Sequence, residues 1–467
     1  MTEFRDCRPF FQPESVAVVG AGERLTSSGG AVLRNLIASK YAGRIVPVNP
    51  KGGVILGLPA VTSLSELDTP VDLVVVVIRP DFILDIVDEA AATGHRNLMI
   101  LPGGFREAGE DGATREAELL RKADAAGITI FGPNCAGIIH LAEDAPFAAT
   151  FLRDLPPGGG IAAISQSGAI TEEIIAKANI DILPVSTVVS VGNAVHLEVT
   201  DYLEYLGNQD ACNCVLLYIE SIADTDRFRE VARRVAAKKP VVALMGGGSE
   251  QGASAVRNHT GGTAMPNAEI DAFLRDCGVI RVPSVRRMLL AAKGFGLHPQ
   301  GIGPRVLLLS NSGGPGVITT DQLRAEGLEM PALPDAYATA LRDMLPREAA
   351  VANPIDLLAD AREDRFGPAF EGALAQAGND ANAFDAILTI HVVPFMVDAG
   401  PIIDTLSNLA RNAGVPCFHA MMGTLEHQSE WFAKMEAAGV PAFNDSESMA
   451  ETAGILSQYP KLRTSLG

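Results

Sequence analysis

Short runs rich in β-branched residues alternate with Ala-rich amphipathic stretches along almost the whole chain, and this alternation restricts the fold more than any other feature. The runs at 16–19, 45–48, 73–78, 98–101 and 128–131 are apolar but for Thr129, as parallel strands buried on both faces must be. Between them, residues 31–40, 82–93 and 114–126 carry helical spacing. Strand, helix and strand in succession form βαβ units and hence a parallel sheet. A second series follows the Pro- and Gly-rich break at 155–160, with runs at 161–164, 185–190, 215–219 and 241–245. A third follows the turn at 301–304, with runs at 306–309 and 386–390 and another near Val415. Residues 331–360, with Pro331, Pro334, Pro346 and Pro354, read as an irregular excursion of this third series. The pattern predicts an α/β protein of three domains, 1–145, 146–297 and 298–467. That number agrees with the chain length at roughly 150 residues per domain.

Charge narrows the choice of partners. Lys and Arg number 37 against 56 Asp and Glu, a net charge of -19. Such a surface argues against nucleic acid and anionic membranes. An anionic ligand must then be held by local devices, such as helix N-termini and peptide N–H groups. The six cysteines (Cys7, Cys135, Cys212, Cys214, Cys277 and Cys417) include no CxxC pair. Scattered thiols of this kind fit a reducing cytoplasm, the expected location. The start is polar, without the apolar core of a signal peptide, and no membrane span is expected because no apolar run reaches 18 residues.

Several motifs combine glycines and hydroxyls where strands give way to helices. Gly20 and Gly22 follow the first strand, and Ser28 and Gly29 stand just before a helix. Glycines there let backbone N–H groups approach a phosphate, although a plain strand-to-helix turn has the same composition. Lys51 stands after the second strand, where a dinucleotide fold would carry an acid for a ribose diol. A lysine suits a phosphorylated ribose or a pyrophosphate instead. Asn134 follows the fifth strand and is placed to bond a polar ligand.

Ser165, Gln166, Ser167 and Gly168 lie between a strand and a helix and make an anion cup, or simply an N-cap. Residues 313–316 (Gly-Gly-Pro-Gly) repeat the device in the third series. Glu220 ends a strand at the edge where α/β sheets bind ligands, and a carboxylate there can orient an imidazole. His259 lies among small residues, with no acid for several positions on either side. A neutral imidazole in that setting is a nucleophile at pH 7; the plainer reading is a loop histidine in a turn. His95, His196, His391 and His419 have no comparable setting and read as structural.

In this order the pieces resemble the NDP-forming acyl-CoA synthetases, relatives of succinyl-CoA synthetase, over nearly the whole chain. The residues that carry the resemblance are 15–20, 30–36, 46–50, 103–109 and 132–135 for a Rossmann-like CoA-binding domain. Residues 165–168, Gly192 with Asn193, 218–220 and 258–261 resemble the ligase domain with a phosphohistidine. Residues 312–316 and 353–356 resemble the third domain of the α part. The implied fold is the CoA-binding domain followed by two flavodoxin-like domains.

The implied role is the α subunit of an acid–thiol ligase interconverting acyl-CoA, NDP and phosphate with acid, CoA and NTP. His259 would accept the phosphoryl group, Glu220 would hold its ring, and Ser165 to Gly168 would bind the phosphate. Gly20, Gly22, Ser28, Gly29, Asn49, Lys51 and Asn134 would serve coenzyme A. Three domains use all 467 residues, so the ATP-grasp domain that handles ADP or ATP with Mg²⁺ is expected on a separate β subunit, in a hetero-oligomer. No metal ligands are expected in this chain. Two departures from the family pattern stand out: residues 245–247 (Met-Gly-Gly) replace a usual lysine, and His196 stands near a usual acid. The alternative is a CoA-binding regulatory or assembly protein without turnover.

Overall fold

The computed structural model describes residues 5–260, 265–377, 383–393, 398–423 and 425–466. The chain divides into two compact units, Met1–Ala292 and Lys293–Gly467. The first unit contains two large sheets and the second contains one.

In the first sheet, strands Arg44–Val48, Ser15–Val19, Leu73–Val76, Asn97–Ile100 and Thr129–Phe131 lie side by side, all parallel. Numbered along the chain, the order is 2-1-3-4-5, a doubly wound sheet. Its strands are apolar runs because helices cover both faces: Val16, Ala17, Val18, Val74 and Val75 are wholly buried. Each fully buried Val, Leu or Ile contributes about 1.5–3 kcal/mol relative to exposure.

The second sheet repeats the plan. Ile161–Ser165, Val185–Ser190, Cys214–Ile219, Val241–Met245 and Ile280–Arg281 are parallel, again in the order 2-1-3-4-5. Beyond Val185–Ser190 the sheet gains a hairpin, Gly137–His140 with Phe147–Thr150, whose first strand runs antiparallel to its neighbour. The alternating pattern gives no hint of this hairpin. Its strands are only four residues each, too short to show a period, and they are buried throughout. Through it the chain adds strands from residues 137–150 to the sheet that starts at Ile161.

The second unit has the same strand order, built from Val306–Ser310, Ile355–Asp356, Ala386–Val393, Cys417–Gly423 and Ala442–Phe443. Its core gathers Leu307, Ile355, Phe366, Phe370, Ile402 and Leu406. The proline-rich span is more regular than expected. It contains the helix Asp335–Met344, with Pro334 at its N-cap, and the short strand Ile355–Asp356. Prolines at helix starts and strand edges punctuate elements without abolishing them. Among the described residues no helix is long and apolar enough to cross a membrane.

Candidate active site

Open α/β sheets bind ligands beyond the carboxyl ends of their strands, where the strand order reverses. In the first sheet that point lies between Ser15–Val19 and Leu73–Val76, and Gly20 and Val77 are its first residues beyond the strands. Gly20 adopts φ +93° with its α-carbon against the Val77 carbonyl; an added Cβ would lie 2.5 Å from that oxygen. The helix Ser28–Ala38 starts directly over it. A Cβ on Gly29 would meet the Gly20 carbonyl oxygen at 2.1 Å, so only glycine lets the helix come this close. Ser27 caps the helix by accepting from the Gly30 N–H at 3.3 Å.

In the second sheet the order reverses between Ile161–Ser165 and Cys214–Ile219. Ser165, wholly buried, closes a turn: its hydroxyl donates to the Ser167 carbonyl at 2.8 Å and accepts from the Ser167 N–H at 3.1 Å. Ser167 caps the helix Gly168–Ile180 by accepting from the Ile170 N–H. The N–H groups of Gly168 and Ala169 therefore belong to a helix first turn, without an acceptor inside the helix.

Gln166 is a clasp between the two strand tips. Its Oε1 accepts from the N–H groups of Glu220 (2.5 Å) and Ser221 (3.1 Å), and its Nε2 donates to the Ser221 carbonyl at 2.9 Å. The side chain expected to contact phosphate thus fixes Glu220 beside the cup. Glu220 is 6% exposed and accepts from the Tyr218 hydroxyl at 3.3 Å. Burial first, and then the Glu220 charge, push the Tyr218 phenol up to about 12, which keeps it a donor.

The helix starts at both reversal points open into one cavity of about 870 Å³. Gly20, Ser28, Gly29 and Asn134 line it from one side, and Gln166, Ser167 and Gly168 from the other. Gly22, Asn49, Lys51, Ser165 and Glu220 do not line it. The Asn49 side chain instead donates to the Ala21 carbonyl at 2.7 Å and accepts from the Lys51 N–H at 2.9 Å. His259 belongs by its backbone to the last turn of the helix Glu250–Thr260, not to a loop; its side chain lies outside the described residues. That helix packs against the 3-10 turn Arg106–Ala108 of the first sheet.

Sequence reasoning missed the polar bridge between the two sheets. Asn193 Nδ2 donates to Glu107 Oε2 (2.7 Å) and Glu116 Oε2 (2.8 Å), while Arg106 pairs with Glu116 at 3.1 Å and donates to the Asn193 carbonyl. Burial raises the Glu107 carboxyl, but donors from Asn193, Phe105 and Gly104 outweigh it and hold the group below its ordinary range. The Gly-rich segment 103–109 was visible in the sequence; that its charges reach Asn193 across the sheets was not.

His196, one of the two departures, reinforces the bridge. Its Nδ1 accepts from the Ile130 N–H at 3.1 Å and its Nε2 lies 3.3 Å from Asp124. Burial pushes its pKa down to about 4, so the ring is neutral. Met245, in the other departure, is buried, and the Gly246 N–H donates to the Ile219 carbonyl at 2.8 Å. Cys135 lines the cavity, and burial pushes its thiol up to about 12, so it stays protonated at neutral pH.

Known proteins share this succession of domains. Residues 14–141 match the CoA binding domain, and residues 158–295 match the succinyl-CoA ligase like flavodoxin domain. The alpha subunit of an ADP-forming acetate–CoA ligase II from Pyrococcus furiosus is 35% identical over 460 residues, covering 97% of each sequence. A longer relative, the ADP-forming acetate–CoA ligase I of Archaeoglobus fulgidus, is 32% identical; the match covers 97% of this chain and 63% of that protein. The structure of a dinucleotide-forming acetyl-coenzyme A synthetase 1 from Ca. Korarchaeum cryptofilum, in complex with phosphate and ADP, superposes with a TM-score of 0.91 at 27% identity, covering 99% of this chain and 98% of that one. Similarity sustained over essentially the whole sequence makes the chain a member of the ADP-forming acyl-CoA synthetases, acid–thiol ligases, on the alpha side of that family.

Proposed function

We propose that this chain performs the acyl-transfer half of an NDP-forming acid–thiol ligase and carries the phosphoryl group on His259. The observation that carries the reading is the single cavity joining a glycine-lined helix start at Gly29 to the hydroxyl-capped helix start at Ser167. Its volume, about 870 Å³, falls at the upper end of the roughly 300–1,000 Å³ usual for ligand sites, as a molecule as long as coenzyme A requires. The three domains expected from the sequence, 1–145, 146–297 and 298–467, then divide as CoA binding, phosphoryl transfer and a second ligase-type domain.

Inorganic phosphate attacks the thioester carbonyl of acyl-CoA, the carbon–sulfur bond breaks, and the leaving thiolate of CoA takes a proton. An imidazole nitrogen of His259 then attacks the phosphorus of the acyl phosphate, and the carboxylate leaves. Glu220 orients the ring through its other nitrogen. The Gly168 helix N-terminus stabilises the phosphoryl charge by about 0.3–1 kcal/mol, up to ~2 when partly buried. Ser165 and Gln166 act one step back, holding the turn and the Glu220 strand tip. The phosphoryl group would pass to ADP on an ATP-grasp β subunit, a separate chain in a hetero-oligomer, where Mg²⁺ would neutralise phosphate charge; relatives called alpha subunits support a partner subunit.

The test is to incubate the purified chain with phosphate and a panel of acyl-CoAs and to follow intact mass at neutral to alkaline pH, because phosphohistidine is acid-labile. One added phosphate with particular acyl-CoAs, absent in His259→Ala, is expected. No phosphate in any sample, including one with a β subunit and MgATP, overturns the phosphohistidine and favours a CoA-binding protein without turnover.

A further inference from the structure

Among the described residues, three charged side chains line the cavity: Arg24, Arg79 and Glu172. Arg79 is already engaged. Its Nη2 lies 2.6 Å from Asp81 Oδ2, and its guanidinium sits 5.8 Å from the Phe82 ring centre. Glu172 is an anion. Arg24 has no carboxylate within ion-pair distance among the described residues, in a chain whose net charge is -19.

The backbone around Arg24 is nonetheless fixed. Arg34 donates to the Glu23 carbonyl (3.5 Å) and the Leu25 carbonyl (2.9 Å), on either side of it. Ser27 donates to the Arg24 carbonyl through its N–H (3.1 Å) and its hydroxyl (2.8 Å). Glu23 is tied to the Leu56 N–H at 3.0 Å. The loop is anchored without the Arg24 side chain, and Arg24 lines the cavity with no carboxylate paired to it among the described residues. The sequence expected this task of Lys51, which is exposed and does not line the cavity.

Coenzyme A brings two kinds of phosphate: a diphosphate in mid-chain and a 3′-phosphomonoester at the ribose. The buried helix start at Gly29 suits the diphosphate, which backbone N–H groups approach closely. The phosphomonoester holds more charge on one phosphorus and needs a fork of donors, which a guanidinium supplies. Arg24 is exposed, on the outer rim of the same cavity. We propose that Arg24 reads the 3′-phosphate and so determines the preference for CoA over dephospho-CoA, an assignment that rests on the cavity being the coenzyme A site.

The experiment is calorimetric titration of the full chain, wild type, Arg24→Ala, Arg24→Lys and Lys51→Ala, with CoA and with dephospho-CoA at one fixed ionic strength. Arg24→Ala is expected to weaken CoA binding about tenfold or more and to leave dephospho-CoA within about twofold, the range for losing hydrogen bonds to a charged group. Arg24→Lys, which keeps the charge without the fork, is expected in between. Equal loss for both ligands, no loss for either, or loss of discrimination in Lys51→Ala while Arg24→Ala retains it, overturns the assignment. A wild-type chain that binds neither ligand overturns the coenzyme A reading itself, a result distinct from all the others.

Discussion

Replacing Gln166 with alanine removes three hydrogen bonds at once: two into its Oε1 from Glu220 and Ser221, and one from its Nε2 to the Ser221 carbonyl. At about 0.5–1.5 kcal/mol net for each, the sum ranges from about 1.5 to 4.5 kcal/mol. Gln166 and Ser221 are only half-buried, so water replaces part of what is lost. The expected cost is therefore at the low end, about 1.5 kcal/mol for opening the Glu220 strand tip, or roughly tenfold in the opening equilibrium. Native-state amide exchange reads this directly, because both Glu220 and Ser221 present their N–H groups to the clasp. Their protection should fall by about an order of magnitude in Gln166→Ala, while amides in Val241–Met245 keep theirs. Gln166→Glu is the sharper control: it keeps an acceptor for the two N–H groups but places an anionic oxygen against the Ser221 carbonyl. If protection at Glu220 and Ser221 is unchanged in both variants, the clasp does not hold the tip and the argument built on it fails.

Two further outcomes follow from the geometry. Gly192 adopts φ +66°, and a Cβ there would lie 2.2 Å from the Pro133 carbonyl oxygen and 2.7 Å from that of Asn134. Gly192→Ala should therefore displace the 133–135 turn and destabilise the first unit by about 2–4 kcal/mol, read by denaturant melts; a loss under about 0.5 kcal/mol contradicts the close approach. His391 is wholly buried, and burial pushes its pKa down to about 4; His419 beside it is pushed to about 3 by burial and then by His391. In the unfolded chain such rings titrate near 6.5, so on acidification the unfolded state takes up protons first. Stability is fully present above about pH 6.5 and falls as pH drops toward 4, by about 3 kcal/mol for His391 alone. His391→Phe, against Phe366 at 5.3 Å, should flatten that slope in melts of the second unit between pH 7 and 4; an unchanged slope assigns the loss elsewhere.

The fold was legible because buried parallel strands are written as continuous apolar runs. All four runs of the second series, for example, fall in strands of one sheet. What escaped was short: Ile280–Arg281, Ile355–Asp356 and Ala442–Phe443 have two residues each, below the length at which a period exists. The site was legible residue by residue but not in its division of labour. Gln166 belongs to a motif that reads as an anion cup, yet its partners are 54 and 55 positions away, and spacing cannot show that its amide is spent on peptide groups. Arg24 was invisible for the opposite reason. An arginine in a loop is unremarked until the structure shows that, among the described residues, no carboxylate answers it.

The same clasp occurs in the second unit. Ser310 bonds Ser312 as Ser165 bonds Ser167, and the Asn311 amide exchanges two hydrogen bonds of 2.8 Å with the peptide groups of Val392. Both clasps grip main chain alone, so neither places a demand on the side chains it holds: glutamate and serine in one sheet and valine in the other. The grip is therefore indifferent to which residues it positions, so the same strand-and-turn geometry can hold a carboxylate at one sheet and an apolar side chain at the other.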